Sequence, residues 1–398
     1  MREIIIKDEQ GKRIIALVED TKLVELYEDD LLKKSLEGNI YCGIVRNILP
    51  GMQSAFVDIN ERKNAFLHIR DTIPKVSNET GNKCEKMSDY NINDYVKAKM
   101  PILVQVKKEE ENQKGAKIST SINLPGRFII IIPNTSFITV SQKITSAKEQ
   151  SRLKRVVAEI VKEKRIEDYG IILRTSAENA SKEELESDIE SVVEVWSNII
   201  KKFKKEQAAE KPVKLYNSPD TMKKTIIATA KKEEFNIIVN NKEVAEEVKK
   251  ILKEINLEEI PIKIKEDNVF ELYDLDTQIE KSKERKIWLK SGGFITLDKT
   301  EALTAIDVNS GKFVGKKNNT KDETVYKVNK EATVEIAKQL RLKNISGIII
   351  IDYIDMEENE ERTELIKMLE SELKKDRSKT QIMGFTKLDL LEMTRKKI

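Results

Sequence analysis

The 398-residue sequence holds a single histidine, His68, and two cysteines, Cys42 and Cys84. One histidine leaves no histidine acid/base pair and no histidine-rich metal centre, so any hydrolysis must lean on carboxylates and metal. The cysteines lack a CxxC spacing, which points to a reduced, cytoplasmic protein. The first residues, Met-Arg-Glu-Ile-Ile-Ile-Lys, contain too short an apolar run for a signal peptide. No stretch approaches the roughly 20 apolar residues of a membrane span. Aromatic residues make up only 5%, and the net charge is +3 although 35% of residues are charged, so there is no polybasic tail. A nucleic-acid surface must then come from local clusters of lysine and arginine. The length predicts two to four domains of roughly 100–200 residues each.

What the sequence does have is concentrated at residues 301–356. Glu301-Ala-Leu-Thr-Ala-Ile-Asp307-Val-Asn309-Ser-Gly311 reads as a strand. Side chains two apart on a strand share a face, so Ala305, Asp307 and Asn309 point the same way. Gly347-Ile-Ile-Ile-Ile-Asp352 is an unbroken isoleucine run, the pattern of a strand buried on both faces. Between them Val325, Val328, Ala332, Ile336 and Leu340 recur at helical spacing, with Thr320 and Glu323 as a capping box. Strand, helix and strand with short joints place two parallel strands side by side. Asp307, Asn309 and Asp352 then meet at their carboxyl ends, where open α/β sheets bind ligands. Oxygen ligands of this kind suit Mg²⁺. By pattern alone, the reading of the two aspartates as turn caps is the stronger one, since aspartate is a common turn residue.

Elsewhere, residues 1–36 read as a three-stranded antiparallel meander. Short β-branched strands from Asn39 to about Thr120 suggest a small barrel, with Phe56 and Phe66 either stacking bases or filling its core. Lys107, Lys108, Lys114 and Lys117 form a basic cluster there. Beyond it come strands at Phe128–Pro133 and Tyr169–Thr175, and helices at Ala147–Lys164 and Ser181–Gln207, with Ser181 and Glu184 forming a capping box. Arg174-Thr175 at a strand end could hold a phosphate or simply decorate the surface. Lys281, Lys283, Arg285, Lys286 and Lys290 make a basic approach to the 301–356 stretch, as phosphate contacts or as a solvated helix and turn.

Thr304-Ala-Ile-Asp-Val-Asn-Ser-Gly311, Arg341-Leu342 and Gly347-Ile-Ile-Ile-Ile-Asp-Tyr-Ile-Asp-Met356 resemble the catalytic region of the ribonuclease E/G family, and the resemblance runs in order along the whole sequence. It implies an α/β and β multidomain fold. An RNase H-like subdomain is expected in two parts, 1–36 and 214–280, around an S1 RNA-binding domain of OB-type barrel form at 37–120. A 5′-sensor α/β subdomain is expected at 121–213 and a DNase I-like catalytic α/β subdomain at 281–398. The family's metal ligands fall on Asp307 and Asp352, and its supporting asparagine on Asn309; these three are the expected catalytic set. Phe56, Phe66 and Lys114 match RNA-contacting positions. Arg174 and Thr175 match the 5′-phosphate sensor, and Gly126 and Ile130 the loop that backs it.

The implied function is a Mg²⁺-dependent endoribonuclease, with Mn²⁺ as the alternative metal. It would cleave single-stranded RNA in rRNA maturation and mRNA turnover, leave 5′-phosphate and 3′-hydroxyl ends, and be stimulated by a substrate 5′-monophosphate. The alternative is a catalytically inactive RNA-binding protein of the same architecture. Three departures stand out: Gln142-Lys143 replaces paired arginines, Asp389 replaces a small residue, and the family's paired-cysteine zinc motif and small helical domain do not follow. Zn²⁺ is therefore not expected, and a homo-oligomer stays open.

Overall fold

A computed structural model describes residues 2–33, 35–72, 90–109, 114–209, 211–230, 235–266, 268–311, 321–356 and 359–396. The expected capping residue Thr320, most of the polar insertion after Arg70, and Glu110 and Glu111 lie outside the described residues. The architecture is mixed α/β and β, and the chain divides into two compact units: residues 1–32 with 231–398, and residues 33–230.

In the unit formed by 33–230, five strands close a barrel: Ile40–Leu49, Ser54–Asp58, Ala65–His68, Lys117–Ser119 and Pro101–Lys108, the last returning to pair with the first. This closure is consistent with an OB-type fold. Val213–Tyr216 adds to the outside of Ile40–Leu49. Alternate side chains fill the barrel, among them Ala55, Val57, Ala65, Leu67, Val104 and Ile118. A second, four-stranded sheet has Tyr169–Leu173 between Ile129–Pro133 and Ile138–Val140. Helices Ala147–Lys164 and Lys182–Glu206 cover it with Leu153, Val157 and Ile160, and with Leu185, Ile189 and Trp196. The second helix begins at the expected capping box, with Ser181 and Glu184 bonding reciprocally.

The other unit carries two sheets. In the five-stranded sheet the meander Arg2–Glu9, Lys12–Glu19 and Lys22–Asp30 is antiparallel, and its first strand pairs in parallel with Phe235–Val239. The six-stranded sheet runs in the order Lys286–Trp288, Phe294–Lys299, Leu303–Asn309, Gly347–Asp352, Leu390–Arg395 and Thr380–Phe385. Helix Lys321–Leu342 joins the two central, parallel strands. Its residues Val328, Ala332, Ile336 and Leu340 pack with Leu365, Leu369 and Leu373 of helix Asn359–Leu373 against Ile306, Val308, Ile349, Ile351, Leu391 and Met393. No helix among the described residues is long and apolar enough to cross a membrane.

One expectation fails here. The isoleucine strand is buried on one face only: Ile349 and Ile351 are inside, but Ile348 is 51% exposed and Ile350 is partly open. Both helices pack on the same side, and among the described residues of this unit no second helical layer covers the other face. Aspartate-bearing positions share that open face, and covering it with apolar helix would bury their charge.

Candidate catalytic site

Strand Leu303–Asn309 alternates between the two environments. Thr304, Ile306 and Val308 are buried against the helices, while Ala305 and Asp307 are exposed and Asn309 half-buried on the open face. Asp307 lies in register with Asp352 on the neighbouring parallel strand. Residues in register on adjacent strands project to the same side. The Asn309 amide Nδ2 donates to Asp307 Oδ2 at 2.6 Å, which orients that carboxylate. Burial, then the negative charges of Asp307 and Asp355, push the Asp352 carboxyl above its ordinary value.

A divalent cation would relieve this crowding of like charge, and the two carboxylates are the oxygen donors such an ion takes. Among the described residues no group of three or more His, Cys, Asp or Glu side chains is placed to hold an ion. A cation here would rest on the Asp307–Asp352 pair, with water and substrate oxygens completing its shell, which is the habit of Mg²⁺.

The turn that presents Asp352 is fastened from the helical layer. Asn329, fully buried in helix Lys321–Leu342, donates through Nδ2 to the Ile354 carbonyl at 2.8 Å and accepts from the Ile354 N–H at 3.1 Å. One turn on, Thr333 Oγ1 lies 2.9 Å from the Tyr353 hydroxyl. The sequence signals of this helix, its apolar stripe, its capping pair and Arg341, include neither Asn329 nor Thr333. Asn329 and Thr333 are polar residues four apart beside that stripe, and this is the signal that could have revealed the clamp.

On the barrel, Phe56 and Phe66 stand opposite each other across antiparallel strands, with ring centroids 6.0 Å apart in a T-shaped pair. Both are half-buried and point outward, since their neighbours Ala55, Val57, Ala65 and Leu67 fill the interior. The His68 ring lies 6.4 Å from Phe66 and extends the row. Lys117, in register with Phe66, is exposed and pairs with Asp71 at 2.9 Å; Lys114 is exposed nearby in sequence.

Arg174 and Thr175 follow strand Tyr169–Leu173. Arg174 Nη1 donates to the Gly126 carbonyl at 2.8 Å, and Ser176 Oγ to the Arg127 carbonyl at 2.6 Å. Asp188 accepts from the N–H groups of Arg127, Phe128 and Ile129 at 2.8, 2.7 and 3.2 Å. A Cβ on Gly126 would lie 2.6 Å from that carboxylate, so only glycine fits there. Ile130 pairs with Ile172 in the adjoining strand. The four sensor candidates thus sit around one braced loop. Thr175 is exposed, as is Gln142.

The profile described as the ribonuclease E/G family matches residues 123–398. The chain belongs to the ribonuclease E/G family. Ribonuclease G of Salmonella typhimurium is 37% identical to it over 99% of this chain and 80% of the relative. Ribonuclease G of Haemophilus influenzae is 36% identical over 99% and 79%. A putative ribonuclease E of Buchnera aphidicola is 33% identical over 99% and 95%. The profile begins beyond the barrel, whereas these ribonuclease E/G relatives align through it.

Proposed function

We propose that this chain cleaves single-stranded RNA in RNA processing through a Mg²⁺ ion held by Asp307 and Asp352. Membership of the ribonuclease E/G family makes it an endoribonuclease, a hydrolase; the metal, the site residues and the end chemistry are our reading. The observation that carries it is the register of Asp307 with Asp352 on the open face, beside Asn309. The bound cation supplies charge neutralisation at the scissile phosphate and a nucleophile active at neutral pH. Asp307 and Asp352 position the cation, and Asn309 fixes the rotamer of Asp307. Asn329 holds the turn after Asp352. The open face lets a strand of RNA lie across the sheet.

Phe56, Phe66 and Lys114 are read as the RNA grip of an S1-type barrel, the rings stacking on bases and the lysine meeting phosphate. Arg174 and Thr175, with Gly126 and Ile130 behind them, are read as a 5′-monophosphate pocket. The 281–398 segment is assigned as the DNase I-like catalytic subdomain. Incubating end-labelled single-stranded RNA with and without Mg²⁺ tests this reading. Cation-dependent products with 5′-phosphate and 3′-hydroxyl ends support it, and tight binding without cutting by the wild type overturns it.

A further inference from the structure

The open face of the six-stranded sheet carries an aromatic pair that the catalytic set does not use. Trp288 is 58% exposed, and its ring centroid lies 5.3 Å from that of Phe294 in a T-shaped contact. Lys286 Nζ stands 4.1 Å from the Trp288 centroid and 3.6 Å from the Phe294 centroid. Register ties this group to the aspartates. Trp288, Phe294 and Asn309 form one row across three strands, and Lys286, Thr296, Asp307 and Asp352 form the next. At ordinary strand spacing, Phe294 is about 5 Å and Trp288 about 10 Å from the Asn309 backbone.

The group is also braced. At Gly311, where φ is +59°, a Cβ would lie 2.4 Å from the Gly292 carbonyl oxygen, so the turn after Asn309 rests on the hairpin turn between Trp288 and Phe294. The Ser291 N–H donates to Glu331 at 2.9 Å and ties that hairpin turn to the helix. An exposed tryptophan on a rigid hairpin, with a lysine ammonium over one face of its ring and carboxylates one row away, fits a nucleobase with its phosphate, the base taking the ring face that the lysine leaves open.

Building on the nuclease reading above, we propose that Trp288 and Phe294 are a base-stacking platform. It would hold a nucleotide of single-stranded RNA next to the scissile phosphate, with Lys286 facing the backbone. Stacking of this kind is worth about 5- to 150-fold in affinity per base. The platform is indifferent to base identity, because every base has a π-face.

Trp288 reports on itself, since the only other tryptophan, Trp196, is 7% exposed. The full chain carrying Asp307→Asn, to prevent cutting, is titrated with a short A/U-rich RNA while tryptophan emission is read. RNA is expected to quench the emission; inorganic polyphosphate, which has the charge but no base, is not. Trp288→Phe in that background removes the quench. With the cutting enzyme, Trp288→Ala is expected to raise KM about tenfold, and Trp288→Phe to retain most of the affinity because a ring remains. Unchanged KM in a folded Trp288→Ala enzyme, or no quench by RNA, overturns the platform and leaves the nuclease reading intact. A wild type that is quenched but never cuts keeps the platform and removes that reading. Emission that changes with protein concentration and not with RNA overturns the proposal in favour of a contact between copies.

Discussion

Asn329 holds both the N–H and the carbonyl of Ile354, two residues beyond Asp352, from a fully buried position in the covering helix. The sheet's closed side thereby sets the geometry of its open side. Asn329→Ala leaves both backbone groups unpaired and is expected to cost about 1–3 kcal/mol in stability. It should also lower kcat by about ten- to a hundredfold, because the turn carrying Asp352 is no longer fixed. Thermal melting and single-turnover cleavage separate the two effects. Reduced stability with unchanged kcat would assign Asn329 to packing alone.

A buried charge cluster fastens the helix Lys321–Leu342 to the five-stranded sheet. Arg341 Nε donates to Glu25 at 2.8 Å, Arg377 donates to the same carboxylate, and Tyr27 Oη donates to it at 2.8 Å. Burial by itself raises a carboxyl pKa, but Arg377 and Arg341 more than reverse it, holding Glu25 at about 2 against a usual 4.5. A depressed carboxyl contributes its stability above the unfolded value and loses it as pH falls through the folded one. The contribution, on the order of 3 kcal/mol, is therefore complete above about pH 4.5 and fades toward pH 2. Glu25→Gln removes the carboxylate that two partly buried guanidinium groups share, leaving Arg341 with Glu19 and Arg377 with the Tyr27 hydroxyl, and should cost on the order of 3 kcal/mol near neutrality. Denaturant melts at several pH values should show the gap between the proteins closing as pH drops from 4.5. A gap independent of pH would refute the electrostatic origin.

The frame of this site was readable before the structure, because it rests on periodicity. Alternation around Asp307 named the face, and the stripe from Val328 to Leu340 named the crossover helix. The isoleucine run misled, because apolar composition cannot say how many helical layers cover a sheet. Trp288 with Phe294 needed the register, and Asn329 with Ile354 needed a contact across a crossover; neither is a local pattern. Arg341 was visible as part of a motif, but its buried partner Glu25 lies over three hundred positions away in sequence.

On the barrel, Phe56→Ala and Phe66→Ala should each weaken single-stranded RNA binding by about 5- to 100-fold, the loss of one stacked base. Both rings are half-exposed, so thermal stability should change little by comparison. Fluorescence anisotropy at fixed salt measures the affinity. A large fall in melting temperature with unchanged affinity would place the rings in the core.

At the proposed sensor, Thr175→Val removes a hydroxyl from an exposed position without touching the bonds that brace Gly126 and Arg127. The ratio of kcat/KM for 5′-monophosphorylated over 5′-hydroxyl RNA should fall by about 10- to 150-fold, the worth of one hydrogen bond to a charged group. Cleavage of the 5′-hydroxyl RNA should be unaltered. Equal loss on both RNAs would remove Thr175 from phosphate recognition.

The central claim is that Asp307 and Asp352 share one cation. The most direct measurement is the cleavage rate of a short A/U-rich RNA against Mg²⁺ concentration, for the wild type, Asp307→Asn, Asp352→Asn and the double variant. The account predicts that each single change lowers the rate by at least about a thousandfold, and that the double variant is scarcely worse, because the two residues act as a unit. Near wild-type cutting by either single variant at any Mg²⁺ concentration would contradict it.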